Sequence, residues 1–449
     1  MSRGGSRLGV AGSDRLMDAA RCVISPGGHA DDERLQTAFR LLRTEAPVYW
    51  VDTPGIRPFW LITRHADVMA IERRGAPFTA APRTFLSSEM AEDRLRRILG
   101  KPYVLRGLLQ MDEPDHAAYR AVAQSWFTPA ALASFEPWLN TWASHILDRV
   151  IGREAPFDFT DEVAVPFSIR AIMRLMGLPE SDDALILKLS RGLVGPEDPM
   201  RRLADQPTEA ICRAGMGFRA YFDPVADDRR ACPRHDLSSA IANATVNGVP
   251  FPDYERFSYY TMIATGGHDT ISFCLSGGMH ALAENPDQLA RLKADPGLMD
   301  TAIEEMLRWT TPGRHIMRTA TEDVMVGGQR IRAGQAVALF FNSANRDETV
   351  FAEADRFRID RTPNPHLAFG LGRHHCIGAH LARLEMRALL KAMLPRVTSV
   401  EVAAPPSRTC STMVTGIAAL PIRCVWTNHS LPSAGVHDAI PVVSPPNSG

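Results

Sequence analysis

A single cysteine in a glycine-punctuated loop is the residue of this chain best placed to do chemistry. His366-Leu-Ala-Phe369-Gly370-Leu-Gly372-Arg373-His374-His375-Cys376-Ile-Gly378 runs directly into AHLARLEMRALLKAML. That second part has the period of an amphipathic helix, with Ala382, Leu384, Leu389 and Leu390 among its apolar positions and no internal Pro or Gly. The loop therefore delivers Cys376 to a helix N-terminus, where free backbone N–H groups and the positive end of the helix dipole favour a thiolate over a thiol. Gly370, Gly372 and Gly378 suit a backbone that turns tightly or passes close to something flat and bulky. Phe369 offers an apolar face beside the sulfur. A thiolate held this way is a good soft ligand for iron.

Three other readings of the loop stand beside that one. The common fate of a lone cysteine is burial as a structural residue. A zinc site is suggested by His374, His375, Cys376 and His380, which lie within seven residues. Adjacent loop residues seldom aim at one metal, however, and no second CxxC or HxxxH pair completes a tetrahedron. A cysteine nucleophile would need a G-x-C-x-G elbow or an obvious base partner, and neither is present. Taken alone, the loop favours haem ligation without deciding it.

The second informative stretch is YERFSYYTMIATGGHDTISFCLSGGMHALAEN, residues 254–285. Its apolar content and length predict one helix of ~32 residues, about 48 Å at 1.5 Å per residue. Gly266-Gly267 nevertheless sits mid-helix, at a cost of ~1 kcal/mol per Gly relative to Ala. Asp269-Thr270 adds an acid and an alcohol where a core helix avoids them. The plain reading is a kinked core helix with capped polar groups. The chemical reading depends on the cysteine loop: if that loop holds an oxygen-activating haem, a hydroxyl and a carboxylate-fed water chain are needed nearby to deliver protons, and the kink makes room for oxygen and water.

Two charged pairs belong to the same set. Asp112-Glu-Pro-Asp-His116-Ala-Ala-Tyr-Arg120 opens a helix with Pro114 and its acids in the first turn. His116 and Arg120 share one face there and could grip a carboxylate or phosphate, although such pairs are usually solvated surface. MDTAIEEMLRW (299–309) carries Glu305 and Arg308 at i,i+3. Exposed, the pair would be worth little. Ile303, Met306, Leu307 and Trp309 around it imply partial burial, where it needs further hydrogen-bond partners.

The elements that must position these residues form an ordinary globular pattern. The chain has 449 residues, 45% of them hydrophobic and 22% charged, with a net charge of −1. No charge imbalance points to nucleic acid or an anionic membrane. Seven scattered cysteines, odd in number, fit a reducing cytosol better than a disulfide framework. No stretch approaches ~18 uninterrupted apolar residues, so no transmembrane helix or signal peptide is expected. Residues 1–33 read as a partly disordered N-terminal segment, 34–424 as a single domain, and 425–449 as a disordered tail rich in Pro, Ser and Gly.

Within the domain, 34–45 and 65–73 read as helices, and 47–51 with 56–63 as a β-hairpin. Residues 76–110 break the pattern and read as a lid over a substrate cavity, or as a mobile surface loop. Residues 130–240 are mostly helical, with Ile172, Met173, Leu175, Met176 and 185–189 as core. The irregular 190–207 segment is a second candidate cover. After Pro312-Gly313 the chain extends, residues 324–341 read as hairpin strands, and TCSTMVTGI (409–417) is a turn.

In this order and spacing, H-x-x-x-R, G-G-x-D-T, E-x-x-R and the Phe369–Gly372–His374–Cys376–Gly378 loop resemble the cytochrome P-450 family across about residues 35–424. The resemblance implies a mainly α-helical triangular prism with a small β-rich region, holding one haem b (iron protoporphyrin IX) between the long central helix and the Cys-loop helix. It makes Cys376 the axial thiolate of the haem iron and His116, Arg120, Arg318 and His366 the propionate contacts. Phe369, Gly370, His374 and Gly378 complete the cofactor loop. Gly266, Gly267, Asp269 and Thr270 become the oxygen-activation motif, and Glu305–Arg308 a structural pair. Ile271 stands where a second Thr often occurs, a minor departure. Retention of Asp269 and Thr270 argues against the peroxide-driven branch of the family.

DRRACPRHDLSSAIAN, YYTMIATGGHDT, SANRDE and HLARLEM further resemble the bacterial terpineol-hydroxylase branch. That implies a monooxygenase using O2 to hydroxylate a small, mainly apolar terpenoid or alkyl-aromatic. Met262, Thr265, Arg314, His315, Ile316, Met413 and Val414 would line its pocket. Arg314 and His315 would there anchor a hydroxyl or carboxylate, or Arg314 would turn to the propionates or solvent. The chain carries no flavin- or nicotinamide-binding segment. The resemblance therefore implies a separate ferredoxin, fed by an NAD(P)H-dependent reductase, docking on a face that offers Arg120 and Arg373. It also implies a cytoplasmic monomer. The alternatives are a natural-product tailoring hydroxylase acting on a larger polar substrate, and a non-catalytic haem- or zinc-binding protein.

Overall fold

The computed structural model describes residues 7–199 and 203–427. It is mainly α-helical; among the described residues there are one five-stranded sheet, one three-stranded sheet and three two-stranded ones. In the five-stranded sheet Val48–Thr53 and Ile56–Ile62 form an antiparallel hairpin. Ile56–Ile62 then pairs in parallel with Ala336–Phe340, and that strand pairs antiparallel with His315–Ala320, with Phe78–Thr79 at the edge.

Both faces of the sheet are buried, and the pleat sorts the residues between them. Leu61, Met317, Ala338 and Phe340 pack under Ala20, Val23, Phe39 and Leu42. Ile62, Ile316, Val337 and Leu339 pack on Val68, Ile71 and Leu367. The first face is covered by Arg7–Ile24 and Asp32–Glu45, the latter capped by Asp31 accepting from Arg34 N. Of the segment 1–33 expected to be partly disordered, residues 1–6 lie outside the described residues and most of the rest is helical. Arg7–Ile24 and Pro26–Ala30 are helices, and the sheet's apolar face is what orders them. At the other end, Val425 and Trp426 belong to the strand Pro421–Trp426. The remainder of the expected tail, 428–449, lies outside the described residues.

The helix expected over 254–285 is two helices, Asp253–Gly266 and Asp269–Glu284. Gly267 N–H still donates to Ile263 O at 3.1 Å, after which His268 (φ −130°, ψ −52°) leaves the helical region, and Ser272 N–H to His268 O begins the second helix. A Cβ on Gly267 would lie 2.5 Å from Ile172 Cγ1, so only glycine allows this approach to the helix Val165–Leu175. Asp269–Glu284 runs through the core against Val165–Leu175, Met299–Thr310 and Ala379–Met393.

The 76–110 stretch is more ordered than its composition suggested. Glu89–Leu99 is a helix capped by Ser88 Oγ, which accepts from Ala91 N; most of the charge run is its solvated face, while Glu92 is buried against Arg57 and Arg83. Leu108–Gln110 forms a 3-10 turn. The residues that lead into this turn are pinned to the helix Asp253–Gly266 by Tyr254 Oη–H to Val104 O (2.7 Å), Arg106 N–H to Ser258 Oγ (3.0 Å) and Leu108 N–H to Met262 Sδ (3.3 Å). Among the described residues no helix is long and apolar enough to cross a membrane.

Candidate functional site

The Cys loop is shaped by its own backbone. Cys376 N–H donates to Phe369 O at 2.9 Å, and Gly370 N–H to Leu367 O at 2.9 Å. Gly372 has φ +69°, and a Cβ there would meet Glu72 O at 2.6 Å, so the position needs glycine twice over. The helix Ala379–Met393 follows, with Gly378 at its N-cap. Gly378 N–H bonds the sulfur, and Arg120 and Arg383 add positive charge. Burial nevertheless pushes the Cys376 thiol up, opposite to the direction expected from the helix N-terminus. Desolvation at the cavity wall outweighs one N–H bond and the two guanidinium charges.

Cys376 opens onto a cavity of about 530 Å3. One side of it is basic: His116, Arg120, Arg318 and His374 all line it. The His116 and His374 rings lie 4.3 Å apart. His116 Nε2 and His374 Nδ1 are buried and have no hydrogen-bond partner among the described residues. Burial lowers both rings, His374 to about 3. Arg318 is held 3.0 Å from Glu72, a buried acid on the same wall.

His366 does not join this group. Its Nε2 lies 3.0 Å from Glu304 Oε2, and its Nδ1 accepts from Ala368 N. Arg383 binds the same Glu304 and lies over the Phe369 ring at 4.6 Å. Burial alone would raise the Glu304 carboxyl, but the hydrogen bonds from Arg383 and His366 outweigh it and bring it to about 2. His366 thus braces the loop from behind, and the propionate contact expected of it is not supported by the geometry.

Across the cavity stands the break between the central helices. Thr270 Oγ1 donates to Gly266 O at 3.1 Å. Asp269 is buried, with Oδ1 3.5 Å from His268 Nδ1. A Cβ on Gly266 would meet no atom within 4 Å, so Gly266, unlike Gly267, faces open space. Glu385, which the sequence reading passed over, also borders the cavity. Neither of its carboxyl oxygens has a hydrogen-bond partner among the described residues, and burial pushes its pKa well up. The signal was present in HLARLEM, where this acid shares the buried face of Leu381, Ala382 and Leu389.

At the far end Met262, Thr265, Ile316, Met413 and Val414 line the cavity. Gly313 and Val414 form a β-bridge that holds the 409–417 turn there. The two basic candidates have other employment. His315 Nδ1–H donates to Thr412 O at 2.8 Å, and its Nε2 accepts from Leu86 N at 2.9 Å. Burial takes the ring down to about 4. With both nitrogens committed, His315 clips two loops to the strand and cannot anchor a substrate. Arg314 is buried but is not among the lining residues; its charged neighbours are Asp32 and Arg408.

Glu305 and Arg308 are wholly buried and joined by two bonds, of 2.7 and 2.8 Å. Arg308 also donates to the carbonyls of Asn345, Ala354 and Arg356. Glu305 accepts from Arg358 N and Arg361 Nε. The pair therefore ties the helix Met299–Thr310 to the 345–361 stretch, away from the cavity.

The basic wall, the orphaned imidazole nitrogens and the space before Gly266 fit a flat, dianionic cofactor bound through sulfur. Among the described residues no group of three or more His, Cys, Asp or Glu side chains could hold a metal ion, which counts against zinc. The family model for cytochrome P450 matches residues 297–416. The chain is 37% identical over 413 residues to cytochrome P450-terp from a Pseudomonas species, covering 90% of this chain and 96% of that protein. It is 31% identical to linalool 8-monooxygenase from Pseudomonas putida, over 86% of this chain and 95% of that one. The crystal structure of CYP108D1 from Novosphingobium aromaticivorans superposes with a TM-score of 0.85 at 38% identity, covering 91% of this chain and 98% of that one. The chain belongs to the cytochrome P450 family. It has that family's fold and is a monooxygenase of the family, whose chemistry rests on haem iron and O2.

Proposed function

We propose that the protein hydroxylates a small, mainly apolar substrate, terpenoid or alkyl-aromatic, at a haem b held by Cys376. The observation that carries the reading is the placement of the sulfur at one wall of the cavity, beside the basic cluster and across from Gly266 and Thr270. His116, Arg120, Arg318 and His374 would hold the two carboxylates of the cofactor, with Phe369, Gly370 and Gly378 shaping the loop around the sulfur. When bound, the haem supplies reductive activation of O2, and its thiolate ligand adds electron density that favours O–O cleavage.

The chain's own residues supply the rest. Gly266 leaves room over the cavity, and the break after it exposes a carbonyl that accepts from Thr270. The Thr270 hydroxyl and the Asp269 carboxylate are placed to hold and pass protons. The apolar wall of Met262, Ile316, Met413 and Val414 orients substrate and keeps water away. The names of cytochrome P450-terp and linalool 8-monooxygenase support a terpenoid substrate. Electrons would come from a small ferredoxin and an NAD(P)H-dependent reductase, docking near the exposed Arg373 and His380 beside the Cys loop. We further infer a single domain that takes in the N-terminal helices and the last strand as well as the expected 34–424, a cytoplasmic location and a monomeric state.

The test is the absorption spectrum of the dithionite-reduced, carbon-monoxide-bound protein, followed by titration with monoterpenes and alkyl-aromatics. The expected results are the long-wavelength Soret band of a thiolate-ligated haem and a substrate-induced spin shift. A histidine-type band, or no haem, would overturn the reading.

A further inference from the structure

The cavity is not uniformly apolar at the end built by residues 193–198 and the 409–417 turn. Glu197 lines it there, next to Leu193, Val194 and Pro196. The local backbone explains why it faces inward. Asp198 N–H donates to Gly195 O (3.1 Å), and the Asp198 carboxylate is drawn the other way, accepting from Cys410 N (3.2 Å). Ser411 Oγ donates to Val194 O at 3.4 Å and ties the segment to the turn.

The other charged groups on the cavity wall are paired, assigned to the cofactor or shut away from the open space. Arg83 pairs with Glu92, which also binds Arg57. Glu72 holds Arg318. His116, Arg120 and His374 form the basic side assigned above to the cofactor, and Asp269 lies beside His268. His315 has spent both nitrogens, and the Glu385 oxygens are shut away from the open space. Among the described residues Glu197 has neither an ion pair nor a side-chain partner, accepting only from its own backbone N–H. Burial and the adjacent Asp198 push its carboxyl up. A half-buried acid in an apolar wall is best satisfied by a donor that arrives with the ligand.

We propose that Glu197 is a specificity-determining residue that anchors substrates carrying a hydrogen-bond donor, a hydroxyl or an ammonium group, at the end reaching the 193–198 wall. The proposal rests on the haem monooxygenase reading and narrows it: the substrate is apolar along its body but has one donor group, and that end is held away from oxidation. An anionic substrate is disfavoured at the same place. A terpene alcohol, or an amine of the same shape, has this chemistry; a terpene hydrocarbon lacks it.

The test uses ligands that bind without knowledge of the natural substrate. N-alkylimidazoles with chains of about four to ten carbons, ending in methyl, hydroxyl, amine or carboxylate, coordinate haem iron at one end and present the other to the cavity. Their dissociation constants are read from the nitrogen-ligand spectral shift in the holoenzyme and in E197Q and E197L. At the chain length that reaches the wall, the hydroxyl and amine should bind about tenfold tighter than the methyl compound, equivalent to about 1.4 kcal/mol. The carboxylate should bind at least about tenfold weaker. E197Q should shrink these ratios to about threefold or less, and E197L should favour the methyl series. A wild-type ranking that follows hydrophobicity at every length, a ranking unchanged in E197Q, or no coordination at all by a holoenzyme with the long-wavelength carbon-monoxide band would overturn the anchor alone. Absence of that band would overturn the haem reading, and the anchor with it. The wild-type series decides the matter even if both variants fail to take up haem.

Discussion

Gly266 and Gly267 stand side by side, yet one added methyl group should act on them in opposite directions. At Gly267 a Cβ would fall 2.5, 2.7 and 3.0 Å from Ile172 Cγ1, Cδ1 and Cβ. Carbon pairs settle at about 3.5–4.0 Å, so something must move by roughly 1 Å. Ile172 is buried and cannot swing into solvent. The cost is that of overpacking a core, about 1–3 kcal/mol. The backbone does not add to it, since Gly267 has φ −88° and ψ −4°, open to alanine. At Gly266 nothing lies within 4 Å, and Gly266→Ala should be neutral or stabilising by up to ~1 kcal/mol through helix propensity. Urea unfolding followed by circular dichroism measures both. Ile172→Ala removes the atoms that clash, so the Gly267→Ala/Ile172→Ala double variant should be better than the sum of the singles by about 1–2 kcal/mol. Additivity within ~0.5 kcal/mol, or a Gly266→Ala as damaging as Gly267→Ala, would refute the steric argument.

Arg308→Met leaves three backbone carbonyls and the Glu305 carboxylate short of a donor, and should cost about 3–5 kcal/mol. A loss below ~1 kcal/mol in urea unfolding would contradict its structural role. His315 is held neutral with a pKa of about 4, against about 6.5 in an unfolded chain. Between those values the unfolded state binds more protons, so stability rises with pH and is lost as pH falls from about 6.5 towards 4, by up to ~3 kcal/mol. His315→Gln should flatten that slope in a series of unfolding curves; an unchanged slope would be contrary evidence. Cys376→Ser should fold with an unaltered far-ultraviolet spectrum but lose the long-wavelength carbon-monoxide band, and retention of the band would remove Cys376 as the ligand. Thr270→Ala, reduced through a surrogate ferredoxin and reductase, should divert electrons from product to peroxide. Unchanged coupling would argue against a role for that hydroxyl in handling protons.

The features legible in the sequence were those whose chemistry is local. The Cys376 loop could be read because glycines at fixed offsets from a helix start leave the backbone few choices. The central break was visible as Gly-Gly followed by Asp-Thr in an apolar run. The pairing of Glu305 with Arg308 followed from helix geometry alone. What escaped depended on which neighbour, distant in sequence, arrived beside a residue. Gly266 and Gly267 differ only because Ile172 packs against one of them. His315 looked like a substrate anchor until Leu86 and Thr412 claimed its nitrogens, and His366 looked like a cofactor contact until Glu304 took it. The N-terminal helices had no evident partner until the sheet supplied an apolar face. Local sequence determined the family, the glycine-punctuated cysteine loop and the order of the motifs, because backbone conformation and helix periodicity are short-range properties. Tertiary structure alone decided which way each polar side chain points and how far each ionisable group is desolvated, because both depend on contacts between segments distant in sequence.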